Sequence, residues 1–126
     1  MREHMGLFRG KRGCGLWAIG AYSPPVPSFG TDHTIIQTDG QIFSVDPETI
    51  GECTGLTDKN GDLIFEGDVL KFNAYGQHYK GVVSFVDGNF CIICNRPTAS
   101  PFLDDAINRH DAVAICNIHD NPELLE

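Results

Sequence analysis

VDPETIGECTGLTDKNGDLIFEGDVLKF, residues Val45 to Phe72, is the stretch whose reading decides the fold of this 126-residue chain. Within it, Asp58-Lys59-Asn60-Gly61 lies between two apolar runs, Cys53-Thr54-Gly55-Leu56 and Leu63-Ile64-Phe65. Asn-Gly in that setting is the strongest short hairpin signal, because a type I′ turn needs positive φ at both central residues. A second break follows at Glu66-Gly67-Asp68, and an alternating strand, Asp68 to Phe72, comes after it. Two reversals this close together predict a small, tightly coiled barrel. At the start of the stretch, Asp46-Pro47-Glu48-Thr49 reads as a first helical turn, with Asp46 as N-cap and Pro47 at N1.

Upstream, Phe8 to Arg12 and Leu16 to Tyr22 read as two short strands around the Gly13-Cys14-Gly15 turn. Leu16, Ala18 and Gly20 alternate with Trp17, Ile19 and Ala21, so neither face is cleanly polar; burial on both sides or an oligomer contact would account for that. Residues 24–30, rich in proline, form a loop, since each proline lacks the donor a central strand needs. His33 to Gln37 and Gln41 to Val45 make a second hairpin around Thr38-Asp39-Gly40. Downstream, Asn73 to His78 reads as a loop, and Tyr79 to Val86 and Asn89 to Cys94 make a third hairpin around Asp87-Gly88. Residues near 100–110 form one short helical insertion, with Ser100 as cap, Pro101 at N1 and an apolar stripe of Phe102, Leu103, Ala106 and Ile107. Ala112 to Ile118 is the last strand, and Leu124 and Leu125 dock the tail on this subunit or a neighbour. The whole reads as one mostly β domain, 1–126: a hairpin region over 1–45, a barrel core over 46–118 and a tail over 119–126.

The net charge is −8, and the first 12 residues carry +3 of local charge, which leaves −11 on the other 114. A duplex nucleic-acid binder needs a broad basic face to displace counterions, and this balance argues against one. The sequence has no run of 18 apolar residues and no apolar stretch of secretory type near Met1, so no membrane span is expected and the expected compartment is the cytoplasm. The five cysteines, an odd number without a regular framework, are then expected to be free thiols.

Four blocks carry a resemblance. They are Phe8-Arg9-Gly10-Lys11-Arg12 with Gly15-x-Trp17-x-x-Gly20; Val45-Asp46-Pro47-Glu48-Thr49-Ile50-Gly51 with Thr54-Gly55-Leu56-x-Asp58-Lys59-Asn60-Gly61; Phe65-Glu66-Gly67-Asp68-Val69; and Asn117-Ile118-x-x-Asn121-Pro122-Glu123-Leu124-Leu125. In this order they resemble the YopX-like proteins of bacteriophages and prophages. That resemblance implies an SH3-like β-barrel, a phage or prophage origin and a homo-oligomer. It implies no catalytic residues and no cofactor.

Chemistry-bearing residues are few. Cys91-Ile92-Ile93-Cys94 has metal-site spacing, but residues three apart on a strand point to opposite faces, which favours buried structural thiols and no metal. His110-Asp111, and Cys116 with His119-Asp120, are the only outlines of a hydrolase. Asp46, Asp58 and Asp68 are explained by turn and cap duty. Two sets remain as candidate ligand-binding residues. Arg9, Lys11, Arg12 and Trp17 combine cations with an aromatic ring that could stack a base, although an edge strand would carry the same basic residues against aggregation. Tyr75, His78 and Tyr79 form an aromatic rim or a packing surface. The expected function is therefore non-enzymatic: a binding protein acting on a host pathway such as defence, which sequesters an anionic small molecule such as a nucleotide signal or occupies a host protein. A small hydrolase and a purely structural oligomer module are the alternatives.

Overall fold

The computed structural model describes residues 6–26, 30 and 32–120. The expectations for the tail leucines Leu124 and Leu125, and for part of the 24–30 loop, lie outside those residues. The chain forms two compact units, Met1–Cys53 and Thr54–Glu126. It is mostly antiparallel β with one short helix, the class expected from the sequence.

The first unit holds β1 (Phe8–Arg12), β2 (Trp17–Ser23), β3 (His33–Ile36) and the larger part of β4 (Ile42–Thr57). Gly10 pairs with Ala18, Tyr22 with Ile35 and Thr34 with Ser44. β4 then returns to β1, with Arg12 opposite Val45 and Phe8 opposite Glu52. Because β1 is paired on both sides, it is no edge strand, and protection of an edge does not explain its basic residues. Ala18, Ile35 and Val45 form the buried centre, with Phe8, Tyr22, Phe43 and Ile50 packed on it.

The helical turn expected at Asp46 to Thr49 does not form; these residues lie inside β4. Asp46 Oδ1 accepts the Glu48 N–H at 3.0 Å, and the Thr49 hydroxyl donates to the Asp46 carbonyl at 2.6 Å while accepting the Lys11 N–H at 2.7 Å. A side chain that reaches two residues ahead serves an Asx turn as well as a helix start. Here β1 supplies the partner, and the outcome is an irregularity in the β1–β4 ladder between Arg9 and Lys11.

In the second unit the end of β4 is followed by β5 (Leu63–Phe65), and a five-stranded sheet forms in the order β10-β6-β7-β8-β9. Its strands are β6 (Asp68–Ala74), β7 (Gln77–Val86), β8 (Asn89–Asn95), β9 (Thr98–Ala99) and β10 (Val113–Asn117). The core joins Ile64, Leu70, Phe72, Val83 and Ile92 to Leu103 and Ala106 of helix α1 (Leu103–His110). The expected helix is thus present, with Asp104 and Asp105 in its first turn, where they suit the dipole. Its start differs. Phe102 holds the N-cap position, with no side-chain cap, in place of Ser100. The Pro101 carbonyl accepts the Ile92 N–H at 3.0 Å and Phe102 bridges to Cys91, so this segment is held along β8 and the helix begins later.

The turns also differ in kind from the expectation. At the central hairpin, Asp58 donates its N–H to the Asp62 carbonyl (2.9 Å) and accepts the Gly61 N–H (3.0 Å), and Gly61 alone in the loop has positive φ, 86°. That is a type I turn closed by a bulged glycine, the three-residue solution, not type I′. The same pair of bonds closes Arg12–Leu16 and Gln37–Gln41. Positive φ at both central residues occurs instead at Asp87-Gly88 and at Tyr75-Gly76. The expected Asn73-to-His78 loop is therefore a two-residue tip joining β6 to β7, with Asn73 opposite His78 and Ala74 opposite Gln77.

Candidate functional site

The first unit gathers Arg9, Lys11 and Trp17 and separates Arg12 from them. Strand alternation puts Arg9 and Lys11 on one face of β1 and Arg12 on the other. Trp17, opposite Lys11 on β2, has the Arg9 guanidinium 4.7 Å and the Lys11 ammonium 5.9 Å from its ring centre. Arg9 is only 8% exposed. These two cations occupy the ring that the sequence leaves open to a ligand, which makes the group a packed cation–π cluster. Arg12 lies 3.9 Å over Phe43. Lys11 and Arg12, with Ser44, Asp46 and Thr49, line an open cleft of about 500 Å³.

The second unit builds a richer arrangement around the β6–β7 hairpin and the end of α1. β6 turns Leu70, Phe72 and Ala74 inward and Lys71 and Asn73 outward. Across the ladder Lys71 sits directly opposite Lys80, Asn73 opposite His78, and Phe72 opposite Tyr79. The Phe72 and Tyr79 rings stack at 5.1 Å and 8°. His110, the last residue of α1, also stacks on Phe72, at 5.9 Å, and meets the Tyr75 ring edge-on at 5.8 Å. A cleft of about 560 Å³ opens here between Lys59, Lys71, His78 and Arg109. A second hollow of about 200 Å³, bounded by Tyr75, Tyr79 and Pro101, shares Phe72, Arg109 and His110 with it.

Not every charge in this place bears on a ligand. Arg109 and His110 in the last turn of a helix complement its carbonyl ends. Lys59 pairs with Asp111 at 3.3 Å, and Arg109 reaches Asp105 at 3.8 Å. Lys71 and Lys80 have no such account. Directly opposed like charges are destabilising, and among the described residues no carboxylate forms an ion pair with either lysine.

Of the sequence candidates, His78 lines the cleft and Tyr75 and Tyr79 the hollow next to it, while Arg9, Lys11, Arg12 and Trp17 belong to the first unit. Lys59, Lys71 and Arg109 are site residues that the sequence reading does not single out. The outward position of Lys71 is readable from the alternation of β6, but its meeting with the helix end depends on the fold. The His110–Asp111 outline is not assembled. His110 stacks on Phe72 while Asp111 turns to Lys59, and Asp120 accepts a bond from the Asn117 side chain at 2.9 Å.

Cys91 and Cys94 are both buried; Cys94 belongs to the core with Ile92, whereas Cys91 is bridged to Phe102. Burial pushes both thiols up from their ordinary value, and the Asp87 carboxylate adds to this at Cys91. A thiol that holds its proton is a poor nucleophile. With Ellman's reagent at neutral pH, the exposed Cys14 is expected to react within the first seconds, while Cys91 and Cys94 react only on unfolding. Rapid reaction of Cys91 or Cys94 in the folded chain would contradict the packing described.

The model of the YopX protein family matches residues 26–126. Among solved structures, the chain is similar to protein EF1440 from Enterococcus faecalis, at 27% identity and a TM-score of 0.56, covering 94% of this chain and 96% of that one. No curated protein matches.

Proposed function

Since the chain belongs to the YopX protein family, in which neither the family nor EF1440 supplies an activity, we propose a function from the second unit itself: a non-enzymatic binding protein for an anionic small molecule. The observation that carries this is the convergence of Lys71, His78 and Arg109 on one cleft, with Lys80 directly across the ladder from Lys71, in a chain of net charge −8. The carboxylate in the cleft lining, Asp111, is paired with Lys59 and forms no ion pair with Lys71. A multiply charged anion entering the cleft would relieve the repulsion and gain charge-assisted hydrogen bonds. The volume of about 560 Å³ is in the range of small-molecule sites.

Sodium pyrophosphate at constant ionic strength tests this. A ligand that binds only the folded chain stabilises it by about 2.7 kcal/mol at one hundred times its Kd, which raises Tm. In Lys71→Glu the response is expected to vanish, while the ligand-free variant is more stable than wild type by roughly 0.2–1 kcal/mol, because the like-charge pair becomes an opposite one. A wild-type Tm indifferent to pyrophosphate, or a Lys71→Glu variant that responds equally, would remove this reading.

The wider setting is part of the same proposal. The protein is phage- or prophage-encoded, works in the bacterial cytoplasm as a homo-oligomer, and withdraws an anionic signal such as a nucleotide from a host pathway such as one of defence. No helix among the described residues is long and apolar enough to cross a membrane, which is compatible with that setting. The five-stranded sheet of the second unit is the part we read as the SH3-like barrel of the family resemblance. Exposed Ile19, Ile36 and Ile42, on adjacent strands of the first unit, offer a surface for the oligomer.

A further inference from the structure

Tyr75 is a costly residue for its place. It is the first central residue of a two-residue tip, at φ 52°, where asparagine, aspartate or glycine is usual. A bulky side chain at positive φ is strained, and such strain persists where something else requires the residue. Burial does not repay it, because Tyr75 is 87% exposed. Among the described residues its one ring contact is with His110, one of the residues shared by the cationic cleft and the small aromatic hollow.

We infer that the ligand is bipartite: a planar ring taken by the hollow between Tyr75 and Tyr79, joined to a phosphate or other multiply charged anion beside Lys71, His78 and Arg109. This rests on the anion-binding reading above and adds a ring to it. Three features of the site support the addition. The hollow, about 200 Å³, is too small for a drug-sized molecule but suits one ring system. Its lining includes Phe72, Tyr75, Tyr79, His110 and Pro101, surfaces on which a base or similar ring stacks, a contact indifferent to ring identity, with the paired Asp105 and Arg109 at its side. Phe72, Arg109 and His110 line both spaces, so the two adjoin within the reach of a ligand a few bonds long. The class this chemistry recognises is a nucleoside phosphate or another heteroaromatic phosphoester.

The test is a set of amide chemical-shift titrations on the ¹⁵N-labelled chain with the monophosphates of adenosine, guanosine, cytidine and uridine, and with inorganic phosphate. At least one nucleotide is expected to bind ten or more times tighter than phosphate, moving the amides of Tyr75 and Tyr79 as well as those of Lys71 and His78. In Tyr75→Asn that advantage should fall to within about twofold of phosphate, while phosphate binding is kept. The same variant should melt about 2–4 °C higher than wild type, since asparagine tolerates the tip geometry. A rise in Tm with loss of ring preference is what a merely structural tyrosine would not give. Phosphate binding as tightly as every nucleotide would overturn the ring half and leave the anion site standing. Undiminished nucleotide preference in Tyr75→Asn would overturn the role of Tyr75. Silence of the Lys71 and His78 amides towards all five probes would overturn both this inference and the anion-binding reading beneath it.

Discussion

Gly81→Ala is expected to cost the second unit about 3 kcal/mol or more, the largest stability loss of any single methyl group added to the sheet. Gly81 lies in the middle of β7, paired with Leu70 on one side and Cys94 on the other. A Cβ built there would stand 2.4 Å from the Ile93 carbonyl oxygen and 2.8 Å from Cys94 Sγ. The first obstacle is the backbone of a neighbouring strand and cannot rotate away. Relief would require β8 to move, and β8 carries Ile92 and Cys94 into the core. Gly13→Ala is the matched control: its Cβ would meet nothing within 4 Å, so the change should fall within about 0.5 kcal/mol. Urea unfolding followed by an amide signal of the second unit reads both. A Gly81→Ala midpoint equal to that of wild type would mean that β7 and β8 do not approach as described.

The next largest effect belongs to Asp58. It is 5% exposed and spends both carboxylate oxygens on backbone donors. Oδ1 accepts the Asn60 and Asp62 N–H groups at 2.9 and 3.0 Å, and Oδ2 accepts the Ala114 N–H at 2.9 Å from the start of β10. One side chain therefore fixes the central turn and ties it to a strand 56 residues away. Asp58→Ala leaves three donors without their acceptor, and about 3 kcal/mol is expected, since hydrogen bonds to charged groups contribute roughly 1.5–3 kcal/mol each but are not additive. Asp58→Asn should recover about half of this, because the amide keeps one oxygen for the turn and presents an N–H group to the Ala114 donor. Hydrogen exchange at Ala114 separates the two arms: it should quicken in both variants, while turn amides stay protected only in Asp58→Asn. Unchanged protection of Ala114 in Asp58→Ala would contradict the long-range tie.

These two residues also mark how far the sequence could be read. Asp58 stands in Asp58-Lys59-Asn60-Gly61, and the reversal there is legible because glycine supplies the positive φ that its loop requires. The kind of turn was not legible, since Asn-Gly suits two loop lengths and the bonds of the Asp58 carboxylate decide between them. Asp46-Pro47 misled for a related reason: the same Asx bond begins a helix or closes a bulge, and only a paired β1 selects the second. Local pattern located α1, but the docking of Pro101 on Ile92, which delays its start, is a tertiary event. The candidate cleft was half visible. Tyr75, His78 and Tyr79 are close in sequence and legible as a cluster, which the fold divides between the cleft (His78) and the adjoining hollow (Tyr75 and Tyr79). Lys59, Lys71 and Arg109 come from three separate elements, and nothing in their local sequence says that they meet.

The central claim is that the second unit holds an anionic small molecule between Lys71, His78 and Arg109. Native mass spectrometry on protein purified gently from bacterial cytosol tests it most directly, with Lys71→Glu/Arg109→Glu prepared in parallel. The account predicts that wild type carries an additional mass of nucleotide size, removable by mild activation, and that the double variant has the same subunit number without that mass. Wild type and variant carrying the same additional mass, or a wild-type spectrum bare even after incubation with cell extract, would contradict it.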